Sequence, residues 1–247
     1  MESYLETIRG FYPNAVGTNE NVEGFLRLMA TRLGIAPAQI MLADSVCSDD
    51  LNHIEYPKRA YEMLGPFKMG GLNGFPFTGL TGMGAFAHHV PADGIVLVFY
   101  GPHIGISRCG VAGDVLRPGQ AKPSSCCGAA QAALGRLRAN EIEPGRVTDL
   151  DYQQNVIEQI FLWRRQRILD AANPIVEATE VMYEAIEERI DLLVSRTQYP
   201  CRYVALMGGI LINADHDAGS FVASRRLRLL DSTTGGKEDL LAELLAV

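Results

Sequence analysis

Three clusters in this sequence place soft or borderline metal donors near residues able to handle protons: Cys47-Ser48-Asp49-Asp50, His88-His89 and Cys126-Cys127-Gly128. Zinc favours thiolate and imidazole ligands, and a catalytic zinc keeps three protein ligands and leaves the fourth position to water. Cys47, one histidine and one further cysteine would complete such a set. A cysteine at a helix N-terminus is further biased toward thiolate by the dipole and the free N–H groups there. The donors are dispersed along the chain and not paired as CxxC, so spacing alone leaves open which histidine and which cysteine take part.

Distant donors need an ordered scaffold to meet. Ile40-Met41-Leu42-Ala43 reads as a buried strand end delivering Cys47, and residues beyond a strand end commonly build sites. Ala85 to Val90 reads as a second strand, carrying His88 and His89 and stopping at Pro91. Ala92-Asp93-Gly94 then turns the chain into Ile95 to Tyr100, apolar on both faces and therefore expected at the centre of a sheet. The run from Ser124 after Pro123 reads as a serine-capped helix whose first turn carries the cysteine pair.

Around these lie helical segments. Asn21 to Met29 has apolar residues at helical spacing behind an Asn cap, with Gly34 as its stop, so residues 1–38 form a helical N-terminal extension. Residues 149–196 form a helical scaffold, divided near Asn173-Pro174, with an apolar stripe through Val156, Ile160, Trp163 and Ile168. Tyr203 to Asn213 and Phe221 to Leu230 read as a hairpin, and a helix from Lys237 follows. The expected fold class is α/β: a mixed, partly parallel central sheet flanked by helices, in one domain spanning residues 1–247.

Composition narrows the partners. A net charge of -7 without a basic stripe offers nothing to a phosphate backbone or an anionic membrane surface, so neither nucleic acid nor membrane is expected as a partner. The most apolar stretch, Tyr203 to Ile212, is about half the length of a membrane-spanning helix. Glu2, Glu6 and Arg9 do not compose a secretory signal, and five cysteines cannot all pair within one chain. A reducing, cytoplasmic setting with free thiols is the expectation.

Longer segments carry a resemblance. Cys47-Ser48-Asp49-Asp50-Leu51-Asn52, Gly70 to Gly79 (GGLNGFPFTG), Gly84 to Pro91 (GAFAHHVP), Gly101-Pro102-His103-Ile104-Gly105, Cys126-Cys127-Gly128-Ala129 and Met207 to Asn213 together resemble the limiting-CO2-inducible B/C family. These are carbonic anhydrases often grouped as the theta class and similar to beta carbonic anhydrases. The resemblance implies reversible hydration of CO2 to bicarbonate at a zinc ion (Zn2+) bound by Cys47, by one of His88 or His89, and by one of Cys126 or Cys127. His89 and Cys127 are preferred: Cys127 precedes a glycine as the last ligand of beta carbonic anhydrases does, and neighbouring strand residues point to opposite faces. Asp49 matches the aspartate that pairs with an arginine or occupies the fourth zinc position. Leu51 stands where that arginine is expected, so the partner must come from elsewhere, with Arg117 taken ahead of Arg59.

On this reading zinc lowers the pKa of its bound water, the hydroxide attacks CO2, and Asp49 orients it. Phe75, Phe77 and Phe86 could line an apolar CO2 pocket, although phenylalanines in such segments are more often core. His53 reads as surface or a proton shuttle, His103 as a structural turn residue or a support for the metal ligands, Cys109 and Cys201 as structural thiols, and Asp215-His216-Asp217 as a solvated turn. The main alternative is a catalytically silent zinc-binding partner or structural protein in inorganic-carbon handling. A thiol-redox protein using Cys126-Cys127 is a third. A homodimer is expected by analogy with the family.

Overall fold

The computed structural model describes residues 2–52, 54–216 and 218–246. In chain order, α1 (Glu2–Arg9), the two-residue β1 (Val16–Gly17) and α2 (Thr18–Leu33) precede β2 (Ile40–Ser45) and β3 (Leu64–Lys68). Then come α3 (Gly79–Ala87), β4 (Ile95–Tyr100), β5 (His103–Gly105) and the short pair β6 (Asp114–Val115) and β7 (Ser124–Ser125). Four helices follow, α4 (Gly128–Ala139), α5 (Tyr152–Trp163), α6 (Arg165–Leu169) and α7 (Pro174–Ser195). The chain closes with β8 (Tyr203–Asn213), β9 (Ser220–Asp231), β10 (Lys237–Asp239) and α8 (Leu241–Ala246).

The main sheet runs β1-β9-β8-β4-β2-β3, with β5 added to β8 and β10 to β9. Strands β3, β2, β4 and β8 are mutually parallel, while β9 returns antiparallel to β8. The sheet is therefore mixed and partly parallel. β4 lies between β2 and β8 with all six residues buried, as its two-sided apolar character requires. Alternation along β4 feeds two cores. Val96, Val98 and Tyr100 pack with residues of α3, α4, α5 and α7, whereas Ile95, Leu97 and Phe99 pack with Phe25, Leu26 and Met29 of α2 and Leu244 of α8. Among the described residues no helix is long and apolar enough to cross a membrane.

Several local expectations are corrected. The segment expected as a strand over Ala85 to Val90 is instead the last three residues of helix α3, its His88 cap and the turn that follows. Met83, Phe86, Ala87 and Val90 are the buried positions, which is helical and not alternating spacing. Interior Gly82 and Gly84 cost the helix about 1 kcal/mol each, while burying each large apolar side chain returns roughly 1.5–3 kcal/mol, so packing decides the outcome. α2 starts earlier than expected, with Gly17 as its N-cap, and Asn21 lies inside it, buried and donating to Ser224 Oγ at 2.7 Å. Its stop at Gly34 (φ 69°) is a left-handed cap of the kind glycine supplies freely. Ser124 and Ser125 pair as β7, so Cys127, not a serine, is the N-cap of α4. Trp163 leaves the expected stripe and is 75% exposed, and Lys237 begins a strand ahead of the terminal helix.

Candidate metal centre

β2 and β4 are neighbouring parallel strands, so their carboxyl ends open on the same edge, where side chains from two loops can converge. Cys47 lies just beyond β2, and His103 opens β5 just beyond β4. Gly101 makes the second placement possible: a Cβ there would collide with the carbonyl oxygen of Gly209 on β8. Cys127 reaches the same point from the N-cap of α4. Gly105 leaves room for this approach, since a Cβ on it would sit 2.8 Å from Cβ of Cys126.

The two sulfurs of Cys47 and Cys127 stand 3.9 Å apart, and the donor atoms of Cys47, His103 and Cys127 all lie within 4.8 Å of one another. Ligand atoms about 2.0–2.3 Å from one tetrahedral zinc stand roughly 3.5–4 Å apart, so these three side chains could hold such an ion with small adjustments. The imidazole of His103 is completely buried. Its Nδ1 lies 2.6 Å from Asn213 Oδ1, while its Nε2 has no hydrogen-bond partner. A buried orphan nitrogen beside two buried thiols is a costly arrangement unless a further group occupies the space between them. The backbone N–H of Asn73 donates to Cys47 Sγ at 3.1 Å, a contact that favours the thiolate. Asn73 itself adopts a left-handed conformation (φ 53°).

Asp49, His103 and Cys126 also cluster. That set is the weaker host: Cys126 Sγ approaches Nδ1 of His103 (3.6 Å), the nitrogen already engaged by Asn213, and Asp49 is bound to an arginine. Arg117 grips Asp49 with two parallel hydrogen bonds, Nη1 to Oδ1 and Nη2 to Oδ2, each 3.0 Å. It also bonds Asp50 Oδ1 at 2.6 Å and Ser124 Oγ at 3.2 Å. Asp49 Oδ2 is 4.0 Å from His103 Nε2, so this bidentate pair borders the three-donor cluster.

Charge state follows position. The Cys47 thiol is pushed up first by its contact with Cys127 and then by burial. Burial pulls the His103 pKa down, but the thiols of Cys126 and Cys47 outweigh it and hold it well above the usual histidine range. For Asp49 burial pushes upward. The Arg117 hydrogen bonds, the Leu51 N–H (3.1 Å) and His103 overcome it, so the carboxyl titrates below its usual range.

Of the residues singled out in the sequence, Cys47, Cys127, Asp49 and Arg117 come together here. His89 does not: it lies in the turn after α3, exposed beside exposed His88, and the imidazole in the cluster is that of His103. The strand alternation used to prefer His89 does not apply to a helix end. Arg59, the other arginine considered for Asp49, faces Glu23 at 3.3 Å. Phe86 is core, packed on Phe67, and Phe75 packs edge-on against Phe77. Cys109 is exposed, and Cys201 is buried with its thiol against the Tyr203 carbonyl. Asp215 accepts backbone N–H groups from Arg108 and Leu116, which accounts for it as a turn residue. His53 and Asp217 lie outside the described residues. The signal for His103 was its position: it follows the central strand at the same sheet edge as Cys47.

Comparison with known proteins gives the family and the fold. The family described as "Limiting CO2-inducible proteins B/C beta carbonic anhydrases" has a model that matches residues 16–231. Among solved structures, PtLCIB4, a homolog of the limiting CO2-inducible protein LCIB, is 28% identical, covers 95% of this chain and 98% of its own, and superposes with a TM-score of 0.80. Its H88A mutant gives 28% identity, 97% and 99% coverage and a TM-score of 0.83. The limiting CO2-inducible protein LCIB gives 18% identity, 93% and 95% coverage and a TM-score of 0.67, a likeness of fold. No curated protein matches the chain.

Proposed function

The chain belongs to the limiting CO2-inducible B/C beta carbonic anhydrase family, and from that premise we propose that it hydrates CO2 reversibly to bicarbonate at one zinc ion held by Cys47, His103 and Cys127. The observation that carries this reading is the unpartnered, fully buried Nε2 of His103 within reach of two sulfurs 3.9 Å apart. Two thiolates and an imidazole are a donor set zinc favours, and three protein ligands leave one position for the reaction. Bound there, zinc would supply a Lewis-acidic centre at which water becomes nucleophilic near neutral pH.

The surrounding side chains have separable tasks. Arg117 holds both carboxylate oxygens of Asp49, which keeps that group beside the cluster as a hydrogen-bond acceptor and off the metal. As an ionised acceptor, Asp49 orients the reacting water by taking its hydrogen at Oδ2, the oxygen facing His103. Arg117 comes from far along the chain, between β6 and β7, and occupies the role for which Leu51 has no suitable side chain. Asn73 and Asn52 steady the Cys47 loop, donating to its sulfur (3.1 Å) and its carbonyl (3.3 Å).

Stopped-flow CO2 hydration by zinc-loaded protein, with Cys47→Ser as control, tests the proposal. The expected result is one zinc per chain and a rate lost in the control. A zinc-loaded protein no faster than Cys47→Ser would instead be a metal-binding protein without hydratase activity.

A further inference from the structure

Asn213, the last residue of β8, stands directly behind the imidazole of His103 and is 4% exposed. Its contacts fix which end of its carboxamide is which. Nδ2 lies 2.8 Å from the carbonyl oxygen of Leu51, and a carbonyl can only accept, so the NH2 group must face Leu51. Oδ1 therefore faces His103 Nδ1 at 2.6 Å, with the Cys126 thiol on the same oxygen at 3.4 Å. An amide oxygen cannot donate, so the hydrogen between it and the imidazole sits on Nδ1, and Nε2 is the nitrogen that can offer a lone pair to an ion once it gives up any proton it carries. Nε2 is the atom left without a partner in the cluster of donors.

The backbone of Asn213 is equally constrained. Its carbonyl accepts from Ile106 N at 3.0 Å, and it pairs with Ser220 across the hairpin, so the carboxamide is presented by a rigid strand end. Through Leu51 it also reaches the loop that carries Cys47 and Asp49, so one side chain spans both ligand-bearing segments. The nearest alternative acceptor for Nδ1, Cys126 Sγ, is 3.6 Å away and intrinsically weak.

We propose that Asn213 is the positioning residue of this metal centre: by accepting the Nδ1 hydrogen of His103 while anchored on the Leu51 carbonyl, it aims Nε2 at the ion and ties the Cys47 loop to β8. The inference rests on the zinc reading above. A ligating imidazole whose other nitrogen loses its partner typically binds metal about 10- to 100-fold more weakly.

Zinc affinity, measured by competition with a chromophoric chelator, and the absorption spectrum of the cobalt-substituted protein test it with no dependence on turnover. Asn213→Leu is expected to lower zinc affinity by about 10- to 100-fold and to alter the cobalt ligand-field bands. Asn213→Asp keeps an acceptor oxygen for Nδ1 but loses the donor to the Leu51 carbonyl, so it is expected to bind zinc more weakly than wild type and more tightly than Asn213→Leu, with a cobalt spectrum closer to native than that of Asn213→Leu. Equal affinity in Asn213→Leu and wild type overturns the inference, as does an Asn213→Asp variant as weak as Asn213→Leu. If Asn213→Leu does not fold, the Asn213→Asp result and the 15N spectrum of zinc-loaded wild type still decide: metal on Nδ1 of His103, with the proton on Nε2, sinks it. A wild-type protein that binds no zinc fails the zinc reading itself, a separate outcome.

Discussion

The inner wall and the rim of the site are held by different forces. Cys47, His103, Cys127 and Asn213 are all buried, and each is located by packing, by the pairing of β4, β5 and β8, or by a hydrogen bond from which water is excluded. The rim is made of charges. Arg117, 18% exposed in its side chain, bridges Asp49 to an Asp50 carboxylate that is 86% exposed. A group removed from the wall leaves buried polar atoms unsatisfied and has no solvent to replace it, whereas water can partly substitute for a lost contact at the rim. The wall is suited to holding an ion in fixed geometry, and the rim to orienting a reactant with adjustable hydrogen bonds.

The largest effect is expected from breaking the wall. His103→Ala should abolish stoichiometric zinc binding and reduce CO2 hydration to the level of Cys47→Ser, because it removes the imidazole and leaves Asn213 Oδ1 facing a cavity. Metal analysis after dialysis checks this. Retention of one zinc per chain would assign the third ligand to another residue and dissolve the distinction between wall and rim.

Breaking the rim should leave the metal in place. Arg117→Leu is expected to retain zinc while lowering the hydration rate by ~100-fold, the lower part of the range for a positioned proton-handling group. Arg117→Lys should restore only part of the rate, since an ammonium cannot grip both oxygens of Asp49. The same pair has a signature in acid. Asp49 titrates below its usual range when folded, so between that lowered value and the unfolded value near ~3.9 the folded chain binds fewer protons than the unfolded one. The pair's contribution to stability is complete above the unfolded value and is lost as the pH falls through the lowered one. Thermal unfolding of metal-free protein should show the gap between wild type and Arg117→Leu widest near neutrality and closing below about pH 4. A gap independent of pH would mean that Asp49 is not the partner that matters.

How much of this was legible before the structure depended on whether the signal was local. β2, β4 and the β8–β9 hairpin announce themselves as apolar runs between turn residues, and from them the mixed sheet and the delivery of Cys47 can be read. The cysteine pair at the start of α4 was equally legible, because small residues follow it at helical spacing. α3 was not: Gly82 and Gly84 argue against a helix, and only packing of Met83, Phe86 and Val90 against the sheet outweighs them. His103 was hidden for a related reason. Gly-Pro-His-Ile-Gly looks like a turn, and nothing local reveals that Gly101 lets the chain lie against Gly209, that β5 then aligns on β8, and that Asn213 waits there for Nδ1. The Asp49–Arg117 pair could be suggested from the sequence by the missing arginine at position 51, but its geometry depends on the β6–β7 excursion that folds Arg117 back.

The smallest expected effect is also the sharpest test of which histidine belongs to the wall. His89 lies exposed in the turn after α3, next to the His88 cap, and is not among the donors gathered at the two sulfurs, although it belongs to the most conspicuous histidine pair in the sequence. His89→Ala removes a solvent-exposed side chain, a change ordinarily within about 0.5 kcal/mol in stability. Zinc stoichiometry and the zinc-loaded hydration rate should remain within about two-fold of wild type, since the imidazole that lies with the two sulfurs comes from β5. A loss of zinc in His89→Ala together with its retention in His103→Ala would reverse the assignment, because the two variants differ in whether the deleted ring is buried against Cys47 and Cys127 or open to water. Measured side by side, the pair separates a donor set chosen by the topology of adjacent parallel strands from one suggested by a motif.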